Sequence, residues 1–479
     1  MSEEKRITFL KFSKWFKNYW QLIPLLALSM VFYWVLWKNI YAIGVSVALI
    51  AVLAVKYKRT IETLKKYWPV VVVLVIISLS MWIRMVGFYS PDGSDRWPYL
   101  RNIDSYFFYR QINDIVQNNG VTPSHDYLMN APEGFDRGHS SYDLYYYGSA
   151  YSYYFIRLLF PGMTLLEFLA WFPALIACLI VIPSYYIGKT LFDRKAGVLA
   201  ALFMVLMVPF IARSLGGDPD SDGVVMVLMI SSIAAFLVAY KSLDKDNIFS
   251  RKNIFYSAIA GLVLALFAFS WSTYWFALVV IVGFIVFKLI INLVTTRSLR
   301  TLWELSKSMI VGFVILMAVF YLITVPYYGV GFFANPVTSI FGSFGGAASV
   351  KGEAGNYPNV YVSVAELMAG GQASEVVVKA AGVDIAAGVT GIPTLLLILI
   401  SPFILTLLCF VYLMYSFYRR RLHLDTLLFM GIWFLAFVFA SVIAVRATIF
   451  LAPVYAICLA LIVAKGWRMA IGEDKEFGD

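Results

Sequence analysis

The chain has 479 residues, 61% of them hydrophobic and 14% charged, with a mean hydropathy of +0.78. A water-soluble domain does not need that much apolar surface, so the bilayer is its main solvent. The formal charge of +10 lies in the connections between apolar runs rather than along one soluble face, which argues against nucleic acid as a partner.

A basic stretch, Lys5, Arg6, Lys11, Lys14 and Lys17, precedes the first apolar run, and no small-residue cleavage site follows it. It reads as an uncleaved span and not as a signal peptide. Apolar runs begin near Leu22, Tyr41, Val70, Leu166, Ala196, Val224, Ile254, Trp275, Met309, Ile392, Leu427 and Ala447. Each is about 18 to 22 residues long, enough to cross a core of roughly 30 Å as a helix, which predicts an all-α bundle of about twelve spans. Residues 1–67 hold the first two as a hairpin with basic flanks, and 68–479 form the main transmembrane domain.

Alternate connections carry the positive excess: the N-terminus, Lys56 to Lys66, Lys189 to Lys195, Lys241 to Lys252, Arg297 to Arg300, and the run Arg419, Arg420, Arg421. The positive-inside rule assigns these to the cytoplasm. Two long connections, about 89–147 and 327–391, and a short one at Asp218–Asp222 then face outside. Loops of that length are expensive unless they are used. Cys178, Cys409 and Cys458 fall inside apolar runs and are expected to pack the core.

Three acidic groups stand at predicted external helix mouths: Asp104, the run Asp218, Asp220, Asp222, and Glu366. Gathered carboxylates repel unless a cation neutralises them, and oxygen ligands of this kind suit Mg²⁺ or Mn²⁺. A D-x-D alone is a weak motif, but this one is held between two apolar runs at the membrane surface. Arg446 lies between two strongly apolar stretches, where an arginine needs a cavity or the interface and an anionic partner, or else marks a short external turn. Arg84 reads as a snorkelling anchor. The tyrosines from Tyr142 to Tyr154 read as an aromatic belt at the headgroups, with sugar stacking as the minority view. His125 and His139 read as solvated loop histidines.

Taken in order, these elements resemble the oligosaccharyltransferase catalytic subunits. The first external loop of that family carries an Asp followed by aromatics and an Arg, as Asp104 to Arg110 does. Its next motif, Ser-Arg-Ser then Gly then D-x-D, is matched by Ala212 to Gly223, with Asp220 and Asp222 as the pair. Ser270-Trp271-Ser272-Thr273-Tyr274 looks like the family's Ser-Trp-Gly-Gly-Tyr with both glycines replaced, and is expected to serve packing. Ser363 to Glu366 matches the fifth-loop motif, and Arg446 sits where the family has an Arg that contacts the lipid-linked pyrophosphate.

The resemblance implies a transmembrane bundle of the GT-C glycosyltransferase type. It implies transfer of a glycan from a polyprenyl phosphate or pyrophosphate carrier to Asn in Asn-x-Ser/Thr of an acceptor protein, on the extracytoplasmic face. Asp104, Asp220 and Glu366 would hold Mn²⁺ or Mg²⁺, with Asp222 as a further ligand or support. Asp104 and Glu366 would face the acceptor amide, Arg213 would orient the acidic pair, Ser363 would shape the acceptor site, and Arg446 would hold the carrier phosphate. The family's Trp-Trp-Asp-Tyr-Gly motif is missing. A C-terminal soluble acceptor-binding domain is therefore expected to be absent, its part supplied by a separate domain or subunit unless the chain is truncated. A GT-C enzyme acting on Ser, Thr or lipid, a transporter of polyprenyl-linked sugars and a non-catalytic carrier-binding protein stay open as alternatives.

Overall fold

The computed structural model of the protein describes residues 57–85, 100–340 other than 102, 130 and 245, 401–419, 424–443 and 445–470. Within these the chain is a helical bundle: α1 (Tyr57–Met85), α2 (Ile103–Gln117), α3 (Asp143–Leu159), α4 (Leu165–Cys178), α5 (Val181–Leu191), α6 (Arg194–Leu206), α7 (Val208–Ala212), α8 (Asp222–Lys241), α9 (Arg251–Ala268), α10 (Trp275–Thr296), α11 (Leu299–Tyr328), α12 (Pro402–Tyr418), α13 (Leu424–Ile443) and α14 (Ala452–Ala470). A 3₁₀ turn, Val445–Leu451, leads into α14.

Eight described stretches are long and apolar enough to cross a membrane: Trp68–Met85, Leu165–Leu191, Asp222–Lys241, Arg251–Ala268, Trp275–Thr296, Leu299–Tyr328, Leu424–Ser441 and Ala447–Arg468. The protein is thus a polytopic membrane bundle. The runs expected from Leu22 and Tyr41 lie outside the described residues, as does the start of the one at Ile392. The run expected from Ala196 is divided in two. Met207 turns to an extended ψ of 111°, and Pro209 opens the short α7, where a missing N–H costs nothing. That break aims the chain end of α7 at the acidic turn.

One contiguous core runs through the bundle, with α8 and α14 largely enclosed by their neighbours. α8 packs on α4, α5, α9 and α10, and α14 packs on α6 and α12. The two ends of the bundle differ in charge. At one end Lys288 of α10 and Tyr240 of α8 both bond Asp425 of α13, and Arg468 of α14 bonds Asp193, the N-cap of α6. Asp222, Trp271 and Thr448 mark the opposite end.

The first long connection departs from the all-α expectation. It folds into α2, a short antiparallel hairpin (His125–Asp126 with Phe135–Asp136) and α3, around a core completed by Leu165, Phe168 and Leu169 of α4 and Val224 of α8. The expected aromatic belt is corrected here: Tyr145, Tyr146 and Tyr153 are buried against Phe108, Ile112 and Phe168. They form the inward stripe of α3, and Tyr151 alone of that group is strongly exposed. Cys178, Cys409 and Cys458 are buried and free, as expected of core residues.

Candidate active site

The acidic turn is built between α7 and α8. Arg213 closes α7, the chain bends through Ser214 to Gly217, and Asp222 opens α8. Gly217 takes a φ of +79°, a conformation in which a side chain would be strained. Its N–H donates to the Ala170 carbonyl at 2.6 Å, and its carbonyl accepts from the Arg101 N–H at 2.8 Å. Gly216 donates to the Arg84 carbonyl at 2.9 Å. The turn is therefore fixed to three other segments through its backbone.

Asp104 lies in the first turn of α2, where the helix dipole favours a carboxylate, and it is exposed. The next residue, Ser105, is fully buried and donates to Asp218 Oδ1 at 2.6 Å. Tyr145 of α3 donates to the Pro219 carbonyl at 2.8 Å. Burial, and then the charges of Asp220 and Asp218, hold the Tyr145 hydroxyl well above its ordinary range, so it stays a donor beneath the acidic run. The first loop and the acidic run, more than a hundred residues apart in sequence, thus share one surface.

Arg213 Nη1 stands 3.7 Å from Asp222 Oδ2, an ion pair whose carboxylate side chain is only 11% exposed. Both residues wall a cavity of about 170 Å³ completed by Met226, Trp271, Thr448 and Phe450. Trp271 was expected only to pack. It does pack, 5.5 Å from the Phe450 ring and 5.6 Å from Phe276, but it also presents surface to the cavity. Thr448, Ile449 and Phe450, which line the cavity, belong to the same 3₁₀ turn as Arg446.

Of the expected site residues, Asp220, Asp222 and Arg213 lie together, with Asp104 on the helix stitched to them. Ser363 and Glu366 lie outside the described residues, and so does the Arg446 side chain. Among the described residues no three His, Cys, Asp or Glu side chains gather closely enough to hold an ion. The donor set is nonetheless of the right chemistry for a hard cation, carboxylate oxygens only. His125 pairs with Asp136 at 2.6 Å, and His139 lies against Tyr327 with ring centroids 3.9 Å apart and planes tilted at 47°.

Sequence reasoning did not find the charged hub of the first loop. Asp126, 3% exposed, accepts from Arg110 Nη1 at 2.9 Å and Nη2 at 2.7 Å, from Arg137, and from the backbone of Leu128 and Met129. These donors hold its carboxyl far below the usual carboxylate range. Arg110 is on α2 with Asp104, so the hub fixes the helix that presents the candidate acid.

The family model "Oligosaccharyl transferase STT3, N-terminal" matches residues 92–471, and the chain belongs to that family. Among curated relatives, dolichyl-phosphooligosaccharide-protein glycotransferase 3 of Archaeoglobus fulgidus is 27% identical over 233 residues, 47% of this chain and 26% of that protein. The glycotransferase of Methanocaldococcus jannaschii is 22% identical over 459 residues, 77% of this chain and 46% of that protein. The Archaeoglobus fulgidus oligosaccharyltransferase in complex with Zn and sulfate shares the fold at a TM-score of 0.58 and 19% identity, over 84% of this chain and 50% of that one. Archaeal AglB from the same organism, in complex with an inhibitory peptide and a dolichol-phosphate, gives 0.54 and 18%, over 86% and 53%. The chain thus spans a quarter to a half of the length of these proteins.

Proposed function

We propose that the protein transfers a glycan from a polyprenyl phosphate or pyrophosphate carrier to the side-chain amide of Asn in Asn-x-Ser/Thr, on the extracytoplasmic face of the membrane. The observation that carries this reading is the joining of the Asp104 helix to the Asp218–Asp222 turn through the 2.6 Å bond from Ser105 to Asp218. Sidedness is supported by Lys241 in the last turn of α8, Lys288 of α10 and Arg468 in the last turn of α14, basic residues toward the opposite mouth that favour the cytoplasm. Related proteins named as dolichyl-phosphooligosaccharide-protein glycotransferases, and a neighbour structure containing a dolichol-phosphate, support the substrate class.

An amide nitrogen is a poor nucleophile because its lone pair is delocalised into the carbonyl. Asp104 and Glu366 accept hydrogen bonds from the two amide N–H groups, which weakens that conjugation and orients the nitrogen toward the anomeric carbon. As the C–N bond forms and the C–O bond to phosphate breaks, the nitrogen's proton passes to a carboxylate. Asp104, Asp220 and Glu366 would hold Mg²⁺ or Mn²⁺, with Asp222 in support, and the chemistry a bound ion would supply is Lewis-acid neutralisation of charge on the leaving phosphate. Arg213 holds Asp222 in place and lends positive potential to the cavity. Arg446 binds the carrier phosphate, and Ser363 shapes the acceptor side.

The test is a transfer assay. The chain is reconstituted with lipid-linked glycan, Mn²⁺ and an Asn-x-Thr peptide, alone and with a soluble acceptor-binding domain of the family added in trans. Glycopeptide is expected in at least one arm, and Asp104→Ala or Glu366→Ala should abolish it. Transfer that both variants retain, or transfer to Ser, Thr or lipid in its place, would overturn the assignment.

A further inference from the structure

Arg84, expected to snorkel, is instead fully buried at the end of α1. A snorkelling arginine keeps its head in water; this one is surrounded by protein. Its Nε donates to Ser214 Oγ at 2.9 Å, and its Nη1 donates to Ser80 Oγ at 2.7 Å and to the Ser80 carbonyl at 3.2 Å. The guanidinium stands 4.8 Å from the centroid of the Phe210 ring. The same residue's carbonyl accepts from the Gly216 N–H at 2.9 Å. Ser214 passes the contact on, donating to the Phe210 carbonyl at 2.6 Å.

Among the described residues these partners are hydroxyls, carbonyls and a ring, with no carboxylate, and Nη2 has no partner. A guanidinium buried without an acid is expensive, and a leucine would fill the space more cheaply. What the charge and fork geometry achieve is a two-point grip, by side chain on Ser214 and by backbone on Gly216. The segment held in that grip starts one residue after Arg213 and ends two before Asp218.

We propose that Arg84 is a positioning residue for the acidic site. It acts through Ser214 to set the Arg213–Gly217 turn, and thereby the angle at which Asp220 and Asp222 are offered to a divalent cation. The inference rests on the metal-dependent reading above. It is separable from it, because the wild-type chain reports on that reading and the Arg84 variants report on the grip.

The experiment measures Mn²⁺ binding to the full chain in nanodiscs from the free-ion EPR signal, with no substrate present, and the Mn²⁺ dependence of transfer alongside. Arg84→Gln, Arg84→Lys, Ser214→Ala and the double variant Arg84→Gln/Ser214→Ala are compared. Residues that support metal ligands from outside typically change metal affinity by about ten-fold or more when removed. Arg84→Gln and Ser214→Ala should each weaken Mn²⁺ binding by about that factor, with transfer at saturating Mn²⁺ lowered much less. Because both act on one contact, the double variant should be no worse than the worse single one. Lysine lacks the planar fork and should rescue only in part. Ser214→Ala removes a single hydroxyl and carries the test alone if Arg84→Gln does not fold. Unchanged Mn²⁺ affinity in Ser214→Ala and Arg84→Lys, or effects that multiply in the double variant, would overturn the positioning role. A wild-type chain that binds no Mn²⁺ would overturn this inference and the metal-dependent reading together.

Discussion

Asp126→Ala should loosen the hairpin of the first long connection from α2 without unfolding the spans. The carboxylate is 3% exposed and is the common acceptor for Arg110, Arg137 and two backbone N–H groups. Breaking a buried ion pair by removing one partner costs about 3 to 5 kcal/mol. Arg137 keeps a 2.6 Å bond to Asp114, and Arg110, 27% exposed, can rehydrate. The lower end, about 3 kcal/mol, is therefore expected. At about 1.4 kcal/mol per decade, hydrogen exchange at Leu128, Met129 and the hairpin should speed up by roughly a hundred-fold, with the amides of α8 unchanged. The pH dependence follows from the depressed carboxyl. Its stabilisation is fully present above the unfolded value of about 4 and is lost as pH falls through the folded one, so wild type and variant should converge only in strong acid. Less than a three-fold change in exchange at neutral pH would mean that the hub is solvated and that α2 is held by other means.

Asp143 carries the opposite sign. Burial raises its carboxyl, against the hydrogen bonds from Tyr327 and Ser140, so its charge opposes folding increasingly as pH rises from the unfolded value through the folded one. Both donors reach a single oxygen, Oδ2, which an amide oxygen can replace. Asp143→Asn should therefore gain stability relative to wild type in thermal melts as pH rises above the unfolded value of about 4; a loss that grows with pH would refute this. Gly261→Ala should destabilise the bundle by about 1 to 3 kcal/mol, because the added methyl would meet the Leu316 carbonyl where α9 crosses α11. A melt indistinguishable from wild type would show that the two helices can part without cost.

Most of the described spans were legible because length and hydropathy determine what can cross a bilayer, but the run from Ala196 was expected as one span, and Pro209 is the residue that could have marked its break at Met207. The acidic turn was legible from its position between apolar runs. Its attachment to α2 was not, since Ser105 and Asp218 are 113 residues apart and neither carries a motif for the other. The burial of Arg84 depended in the same way on Ser214, 130 residues on. The fold of the first long connection could have been found. Tyr142, Tyr145, Tyr146, Ser149, Ala150 and Tyr153 recur at the helical period, a stripe that marks a buried face whatever the residue type. Reading those tyrosines for their affinity to headgroups concealed their spacing.

The shared cation is best tested by counting Mn²⁺ ions bound per chain at equilibrium, in the wild type and in Asp104→Ala, Asp220→Ala and Glu366→Ala separately. If carboxylates from three distant segments meet at one site, the wild type binds a single ion tightly and each substitution alone removes it. Tight binding that survives any two of the three changes would contradict the convergence from which the proposed chemistry follows.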